Sequence, residues 1–251
     1  MFSKSREQSF RLFCFESMSH ATAIVLAAGE GRRLAAGFAK SYLPIAGRPL
    51  VLRTLDRVFA ARAVETVVLV VAAAELEQCE SMLRADPALK DRHWFLQAGG
   101  ATRQQSARSG LDRVGPDCDI VIFHDGARPF VSPGLIDRCV EAAAEKGAVV
   151  VGLPVRDTIK TVSSDHWIQS TPERNALWEI QTPQAFKREL IAAAHERAER
   201  ERVQVTDDAM VVERAGIPVY VLQGEWTNVK ITVPEDVWLA EILIREGRVP
   251  S

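Results

Sequence analysis

Residues 22–33 read TAIVLAAGEGRR, and this stretch decides the fold. Residues 22–28 are apolar or small, without the polar alternation of a half-exposed strand, which is typical of a strand buried on both faces of a parallel sheet. Gly29 and Gly31 follow at once, so the backbone there can approach an anion closely, and Arg32 and Arg33 add positive charge. The stretch predicts a buried strand that ends in a phosphate-binding loop. An ordinary tight turn is the alternative.

Further apolar runs follow at intervals along the chain. We predict strands at residues 22–28, 66–72, 94–97, 119–124, 148–153 and 218–223. Capping signals open three of the helices between or after them: Thr102 with Gln105, Ser132 with Pro133, and Thr232 with Glu235. Gly147 is placed to end the second. This alternation predicts an α/β fold with a doubly wound, mostly parallel sheet, in which ligands bind beyond the carboxyl ends of the strands.

One polar segment interrupts the pattern. Residues 156–182 contain Trp167 and Trp178 but no long helical stripe. Polar excursions of this length are usually functional or flexible, and the two tryptophans argue against disorder. We predict a projecting β-arm that pairs with a second subunit. An ordinary surface loop is the alternative.

Composition restricts the class of protein. The chain has 251 residues, and 31 Lys and Arg against 33 Asp and Glu leave a net charge of −2. These values are those of a globular protein and argue against broad binding to nucleic acid. The longest apolar run, residues 67–74, is too short to span a membrane. We expect one domain over residues 20–251, preceded by a disordered extension over residues 1–19, in a cytoplasmic protein whose four scattered cysteines are reduced.

Several polar residues stand where such a fold places ligands. Lys40 follows the arginines, and Asp125 ends the strand at 119–124, where it could hold Mg²⁺, hold a ribose hydroxyl or cap a turn. His124 is expected to be structural. The loop lacks the Gly-Lys-Ser/Thr ending of a Walker loop, and Leu34 stands where a dinucleotide fingerprint needs its third glycine. Zinc ligation and covalent catalysis are not indicated.

Six motifs together carry a family resemblance: LAAGEGRRLAAGFAKSYLPIAGRPL, HDGARPFV, PVRDTIK, ERNALWEIQTPQAF, VTDDAMVVE and NVKITVPEDVWLAE. In order, from about residue 22 to residue 246, they resemble the 2-C-methyl-D-erythritol 4-phosphate cytidylyltransferase family of nucleotidyltransferases. The resemblance implies a Rossmann-like nucleotidyltransferase fold, Mg²⁺ as cofactor, and a homodimer in which the arm completes the partner's site. It implies that CTP and 2-C-methyl-D-erythritol 4-phosphate (MEP) react to give the CDP-methylerythritol product and pyrophosphate, in the non-mevalonate route to isoprenoids.

The resemblance also implies a role for individual residues. The catalytic positions are Arg33, Lys40, Lys230 and Arg174. The nucleotide and acceptor contacts are Ala27, Ala28, Gly29, Gly31, Gly100, Ser106, Asp125, Arg128 and Thr158, with Asp125 also at the metal and Thr158 and Arg174 acting from the arm. Thr182 and Thr206 lie in family motifs.

The sequence departs from the family pattern at several of these motifs. Ala39 and Ser41 flank Lys40 where the family usually has Pro and Gln, Ala101 replaces a common acid, Gly126 stands where Ala is common, and Thr227 stands where Asp often precedes Asn228. Three rival functions stay open at this point: a cytidylyltransferase for another alcohol phosphate such as ribitol 5-phosphate, a nucleotide-binding regulatory module without catalysis, and a nicotinamide-dependent oxidoreductase.

Overall fold

The structure is a computed structural model that describes residues 20–29 and 40–250. The predicted extension 1–19 lies outside the described residues, as do the predicted site residues Gly31 and Arg33.

The described residues alternate strands with helices along the chain. The strands are β1 Ala21–Leu26, β2 Pro44–Ile45, β3 Arg48–Pro49, β4 Val64–Val71, β5 His93–Ala98, β6 Ile120–Asp125, β7 Ala148–Pro154, β8 Thr161–Val162, β9 Ile168–Ser170, β10 Trp178–Lys187 and β11 Tyr220–Gln223. The α-helices are α1 Leu50–Phe59, α2 Leu76–Ala85, α3 Arg103–Leu111, α4 Pro133–Lys146, α5 Arg188–Arg200, α6 Asp208–Arg214 and α7 Pro234–Arg245.

Seven of these strands form the central sheet, in the order β11-β7-β10-β6-β1-β4-β5. Neighbouring strands are parallel, except that β10 runs antiparallel to both β6 and β7. Helices cover both faces: α1, α2 and α4 pack in one apolar cluster, and α3, α5 and α6 in another. The predicted doubly wound, mostly parallel sheet is therefore confirmed.

Two of the three predicted helix caps are confirmed. Thr102 and Gln105 form a reciprocal capping box at α3, and the Ser132 hydroxyl accepts a hydrogen bond from the Leu135 amide at the start of α4. Gly147 ends α4 at φ 90°, a backbone conformation that favours glycine. The third prediction was wrong, because it is the carboxylate of Asp236, one residue beyond Glu235, that accepts the hydrogen bonds at the start of α7.

The strand β10 was not predicted, and it corrects the extent of the arm. Trp178 to Thr182 were placed in the arm, whereas they belong to the central sheet. Outside the sheet, the polar segment carries the small antiparallel hairpin of β8 and β9. The side chain of Trp167 at this hairpin is 74% exposed, and Ile168 and Val162 are also exposed. The segment is therefore a hairpin that packs little of its apolar surface within its own chain.

Candidate active site

A cleft of about 830 Å³ opens at one edge of the sheet. Its walls follow the carboxyl ends of four parallel strands: Ala27 comes after β1, Ala72 after β4 and Gly99 after β5, and Asp125 ends β6. This is the edge at which open α/β sheets bind their ligands. A second cavity of about 650 Å³ lies at the opposite end of β6, but none of the predicted site residues lines it.

The first wall of the cleft is the loop that follows β1. The strand ends at Leu26, so Ala27, Ala28 and Gly29 belong to the loop and line the cleft as predicted. The Ser41 hydroxyl donates a hydrogen bond of 2.9 Å to the Ala27 carbonyl oxygen, which joins this loop to the turn that carries Lys40. Lys40 also lines the cleft. The departure from the family pattern at Ser41 therefore supplies a contact between the two loops.

The facing wall consists of backbone held tightly against α3. A Cβ atom on Gly99 would come within 2.5 Å of the Ala28 Cβ, and one on Gly100 within 2.4 Å of the Gln105 Cβ. The Ser106 hydroxyl accepts a hydrogen bond from the Gly100 amide at 3.2 Å and donates one to the Thr102 carbonyl oxygen at 3.0 Å. A side chain at residue 99 would therefore force the two walls apart, and one at residue 100 would push the loop away from α3. The predicted residues Gly100 and Ser106 shape this side of the cleft.

Asp125 is a buried carboxylate surrounded by three cations. Its Oδ2 lies 2.8 Å from Lys230 Nζ and 3.5 Å from Arg128 Nε, and its Oδ1 lies 3.9 Å from Arg103 Nε. Burial alone would raise the pKa of Asp125, but the charges of Lys230, Arg103 and Arg128 lower that pKa to about 2. Asp125 is therefore ionised at neutral pH, and it holds Lys230 at the cleft. The structure brings together the predicted residues Asp125, Arg128 and Lys230.

A buried hydrogen-bond network supports Asp125 from behind. The Thr182 hydroxyl accepts a hydrogen bond from the Asp125 amide at 3.0 Å and contacts His124 Nδ1 at 3.1 Å. The other ring nitrogen of His124 lies 3.2 Å from the Arg128 carbonyl oxygen. Burial lowers the pKa of His124 to about 4, so its ring is neutral at pH 7. The expectation that His124 is structural is confirmed, and Thr182 acts here on Asp125.

Asn228 ties the loop that carries Lys230 to the sheet. This fully buried residue donates its side-chain amide to the Thr182 carbonyl oxygen at 2.8 Å and to Gln181 Oε1 at 3.1 Å. Its own carbonyl oxygen accepts a hydrogen bond of 2.8 Å from Arg128 Nη1. Asn228 therefore fixes both cations that approach Asp125 Oδ2. Sequence reasoning did not give Asn228 a role, because its partners lie far from it along the chain.

The arm residues lie apart from this cleft. Thr158 and Arg174 are exposed, and neither lines the cleft of its own chain. Arg174 Nη1 donates a hydrogen bond of 3.2 Å to the Arg156 carbonyl oxygen, and the Arg156 guanidinium stacks over the Trp226 ring, 3.2 Å from its centroid. The base of the arm is thus held against the loop that leads to Lys230. Within the single chain, the two predicted arm residues are not brought to the cleft.

The described residues of the cleft form no magnesium site made of protein groups alone. In residues 20–29 and 40–250, no cluster of three or more His, Cys, Asp or Glu side chains could ligate a metal. Asp125 is the one carboxylate that lines the described part of the cleft. A single carboxylate suits Mg²⁺ only where a substrate's phosphates and water supply the other ligands.

Comparison with known proteins decides the family. The model of the 2-C-methyl-D-erythritol 4-phosphate cytidylyltransferase family matches residues 21–246. The chain belongs to this family. The similar curated relatives include the cytidylyltransferases of that name from Geobacter metallireducens, 41% identical over 89% of this chain and 97% of that protein, and Alkaliphilus metalliredigens, 37% identical over 92% and 95%.

Solved structures agree with this family. The crystal structure of 2-C-methyl-D-erythritol 4-phosphate cytidylyltransferase from Thermus thermophilus is similar with a TM-score of 0.74 and 34% identity, over 90% of this chain and 99% of that one. The 4-diphosphocytidyl-2C-methyl-D-erythritol synthase from Anaerococcus prevotii gives a TM-score of 0.80 at 30% identity, over 90% and 96%. The Rossmann-like nucleotidyltransferase fold is therefore confirmed, and the chain is a cytidylyltransferase.

Proposed function

We propose that this cleft transfers a cytidylyl group from CTP to MEP, giving 4-diphosphocytidyl-2-C-methyl-D-erythritol and pyrophosphate. One observation carries the proposal beyond family membership. A single cleft combines two close-packed backbone walls, at Ala27–Gly29 and at Gly100, with Lys40 and Lys230 at the place where the strands end. Backbone amides suit a base and a triphosphate, and cations suit an acceptor phosphate.

The chemistry explains why the site needs cations rather than a general base. The nucleophile is an oxygen of the MEP phosphate, which is largely dianionic at neutral pH because its second pKa is about 6. CTP brings about four negative charges and MEP about two, and the acceptor oxygen must meet the α-phosphorus in line with the departing pyrophosphate. The obstacle is therefore electrostatic repulsion. Fixed positive groups aimed at the α-phosphoryl oxygens lower it.

We assign these positive groups by residue. Lys40 and Lys230 stabilise charge on the reacting phosphates, together with Arg33, which lies outside the described residues. Asp125 holds Lys230, and Asp125 and Arg128 bound the acceptor side. We assign Ala27, Ala28, Gly29, Gly100 and Ser106 to the nucleotide side, together with Gly31, which lies outside the described residues. Lys40 and Lys230 lie in one cleft, so a protein of net charge −2 can still bind two polyanions there.

We propose Mg²⁺ as the cofactor. Asp125 is the carboxylate that lines the described part of the cleft, and its Oδ1, which lies 3.9 Å from Arg103 Nε, is the protein group that could reach such an ion. The triphosphate and water would supply its remaining ligands. When bound, the ion offsets charge on the triphosphate and makes pyrophosphate a better leaving group. Lys40 and Lys230 act on the same phosphates as direct protein contacts.

We propose a homodimer in which the arm of one subunit completes the site of the other. Thr158 and Arg174 lie apart from their own cleft, and the apolar side chains of Trp167 and Ile168 are exposed on the same hairpin. In the dimer, Arg174 and Thr158 contact the MEP bound by the partner subunit. An acceptor pocket shared between two subunits admits the substrate only after assembly.

We place the reaction in the cytoplasm. Cys79, Cys118 and Cys139 are free thiols in the structure, as a reducing compartment requires. None of the helices in residues 20–29 and 40–250 has the length and apolarity to cross a membrane.

The experiment that tests the proposal measures pyrophosphate release from CTP with either acceptor. The protein is supplied with Mg²⁺ and CTP, then with MEP or with ribitol 5-phosphate, and NAD is compared with CTP as a ligand that raises the melting temperature. We expect release with MEP only, and thermal stabilisation by CTP only. Release with ribitol 5-phosphate alone would overturn the acceptor. Stabilisation by CTP without release would indicate a binding module.

A further inference from the structure

Asp208 is a buried acid that the proposed reaction does not use. Its side chain is 1% exposed and lies at the start of α6, where Arg103 Nη2 donates to its Oδ2 at 2.7 Å. Burial raises the pKa of Asp208, and the charge of Arg103 opposes that effect. Arg103 remains a cation, because guanidinium does not lose its proton in proteins. The two residues therefore form a charged pair inside the molecule.

The position of Asp208 is fixed by the sheet. The preceding residue, Asp207, accepts a hydrogen bond from the Met210 amide at 3.0 Å and one from Gln184 Nε2 at 3.1 Å. The Ala209 amide donates to Gln184 Oε1 at 3.1 Å. Gln184 belongs to β10 and holds both sides of Asp208. The first turn of α6 is therefore attached to the central sheet and can serve as a rigid anchor.

Arg103 extends from this anchor to the cleft. It is the first residue of α3, just after the capping box at Thr102, and its side chain lines the cleft. With Nη2 on Asp208, its Nε lies 3.9 Å from Asp125 Oδ1, while Lys230 takes Asp125 Oδ2 at 2.8 Å. Oδ1 of Asp125 thus faces Arg103, whereas Oδ2 faces Lys230 and, at 3.5 Å, Arg128. A chain of alternating charges runs from Asp208 through Arg103 and Asp125 to Lys230.

We propose that Asp208 and Arg103 are positioning residues, which fix the Asp125 carboxylate and, through it, Lys230 at the acceptor side of the cleft. The expected effect on kcat rests on the proposed function. The expected effect on the position of Lys230 rests only on the chain of charged contacts. A buried ion pair is weak evidence for stability, because apolar residues of similar volume commonly replace such pairs without loss. A pair that is kept at a site instead supplies a fixed orientation. Here that orientation directs the second oxygen of Asp125 to Lys230.

The decisive variant replaces the pair with apolar side chains, Arg103→Met with Asp208→Leu. If the pair only fills space in the fold, the apolar side chains replace it, and this double variant keeps both kcat and the melting temperature. If the pair positions Asp125, the double variant melts like the wild type but loses about tenfold or more in kcat, with CTP affinity changed less than about threefold. The control is Arg108→Met on the same helix, which removes a cation paired with Asp112 and Glu199 and should leave kcat unchanged.

Single variants test the same proposal if the double variant fails to fold. Asp208→Asn retains a hydrogen-bond acceptor for Arg103 and should lose less activity than Asp208→Leu. Arg103→Lys should lose nearly as much as Arg103→Met, because an ammonium lacks the fork that faces two carboxylates. Equal kcat in wild type and all these variants, or a loss confined to CTP affinity, would overturn the proposal.

A crystal structure of the double variant separates this inference from the reaction itself. We expect the Lys230 ammonium to leave hydrogen-bond distance of Asp125, and an unchanged contact would overturn the inference. This readout needs no turnover. Absence of turnover in the wild type would instead count against the proposed function.

Discussion

At the scale of single residues, contacts between charged side chains determine the arrangement of the site. Asp125 stays ionised although it is buried, because three cations surround it, and it holds one of them, Lys230, at the cleft. An acid at the centre of a polyanion site therefore serves to place positive charge. Lysines set this way are stiff before the substrate arrives, and fixed charges stabilise a transition state better than mobile ones.

The role of Lys40 gives the first prediction at this scale. Under the proposed role, Lys40 acts on charge that grows at the α-phosphoryl group. Lys40→Ala should therefore lower kcat about 100-fold or more and change CTP affinity much less. Steady-state kinetics and calorimetric CTP binding measure the two effects. Lys90→Ala, at an exposed lysine, is the control. A loss of affinity with kcat intact would contradict the role of Lys40.

At the scale of secondary-structure elements, two buried histidines make stability depend on pH. His195 on α5 packs against Phe123, and burial lowers its pKa to about 4, the same value as for His124. The unfolded chain takes up these protons near pH 6.5, whereas the folded chain takes them up only near pH 4. The contribution of these two histidines to stability is therefore complete above pH 6.5 and is lost progressively as the pH falls towards 4.

The second prediction concerns the size of this pH effect. For each of the two histidines the loss between pH 6.5 and 4 should amount to about 3 kcal/mol in the free energy of unfolding. His195→Leu should remove one of these losses, and urea titrations at a series of pH values measure it. His93→Leu, at an exposed imidazole, is the control. An unaltered pH slope in His195→Leu would contradict the account.

Local patterns predicted the elements well where the signal was local. The parallel strands carry continuous apolar runs, and the caps at Thr102 and Ser132 depend on residues three positions away. The strand β10 was missed because polar residues, among them the buried Gln181, Thr182 and Gln184, interrupt its apolar pattern and because Pro183 lies inside it. Asp236 was missed because two acids follow Pro234, and only backbone geometry selects between them.

The site was predictable in part for the same physical reason. Asp125 was recognised because it ends an apolar strand, and Lys230 because it lies in a family motif between the last strand and the last helix. The pairing of Arg103 with Asp208 joins residues 105 positions apart, and Asn228 acts on Arg128 at a separation of 100. Such contacts depend on strand order, which no short stretch of sequence contains. Sequence reasoning named both motifs around Arg103 and Asp208 without joining them.

At the scale of the whole molecule, the cleft and the arm supply different residues to the proposed active site. The cleft has backbone walls and cations, while Thr158 and Arg174, which do not line it, flank a hairpin with exposed apolar side chains. Exposed apolar surface on a projecting hairpin is typical of an interface. The account therefore requires two copies of the chain for one complete site.

The third prediction tests the interface through the arm. Trp167→Ser with Ile168→Ser should convert a dimer into a monomer, because these side chains would be buried only by the partner subunit. Sedimentation measures the mass, and activity should fall with it. Trp238→Ser, at a tryptophan that is 69% exposed on α7, is the matched control. A dimer that survives the arm substitutions, or a fully active monomer, would contradict the proposed assembly.

The fourth prediction tests whether Arg174 acts across the interface. Lys40→Ala and Arg174→Ala subunits are inactive alone. When they are mixed in equal amounts and allowed to exchange, about half of the dimers are mixed, and each mixed dimer contains one intact site if the arm crosses over. Activity should then recover to about a quarter of the wild-type value. No recovery, with exchange shown by mass spectrometry, would place Arg174 in its own subunit's site.

The central claim is that an oxygen of the MEP phosphate attacks the α-phosphorus of CTP in this cleft. The measurement that tests it most directly follows CTP labelled at the α-phosphorus, in the presence of Mg²⁺ and MEP. We expect the label in the CDP-methylerythritol product, with one unlabelled pyrophosphate released for each product formed. Label in free CMP, label that stays in CTP, or an equal rate with ribitol 5-phosphate would contradict the account.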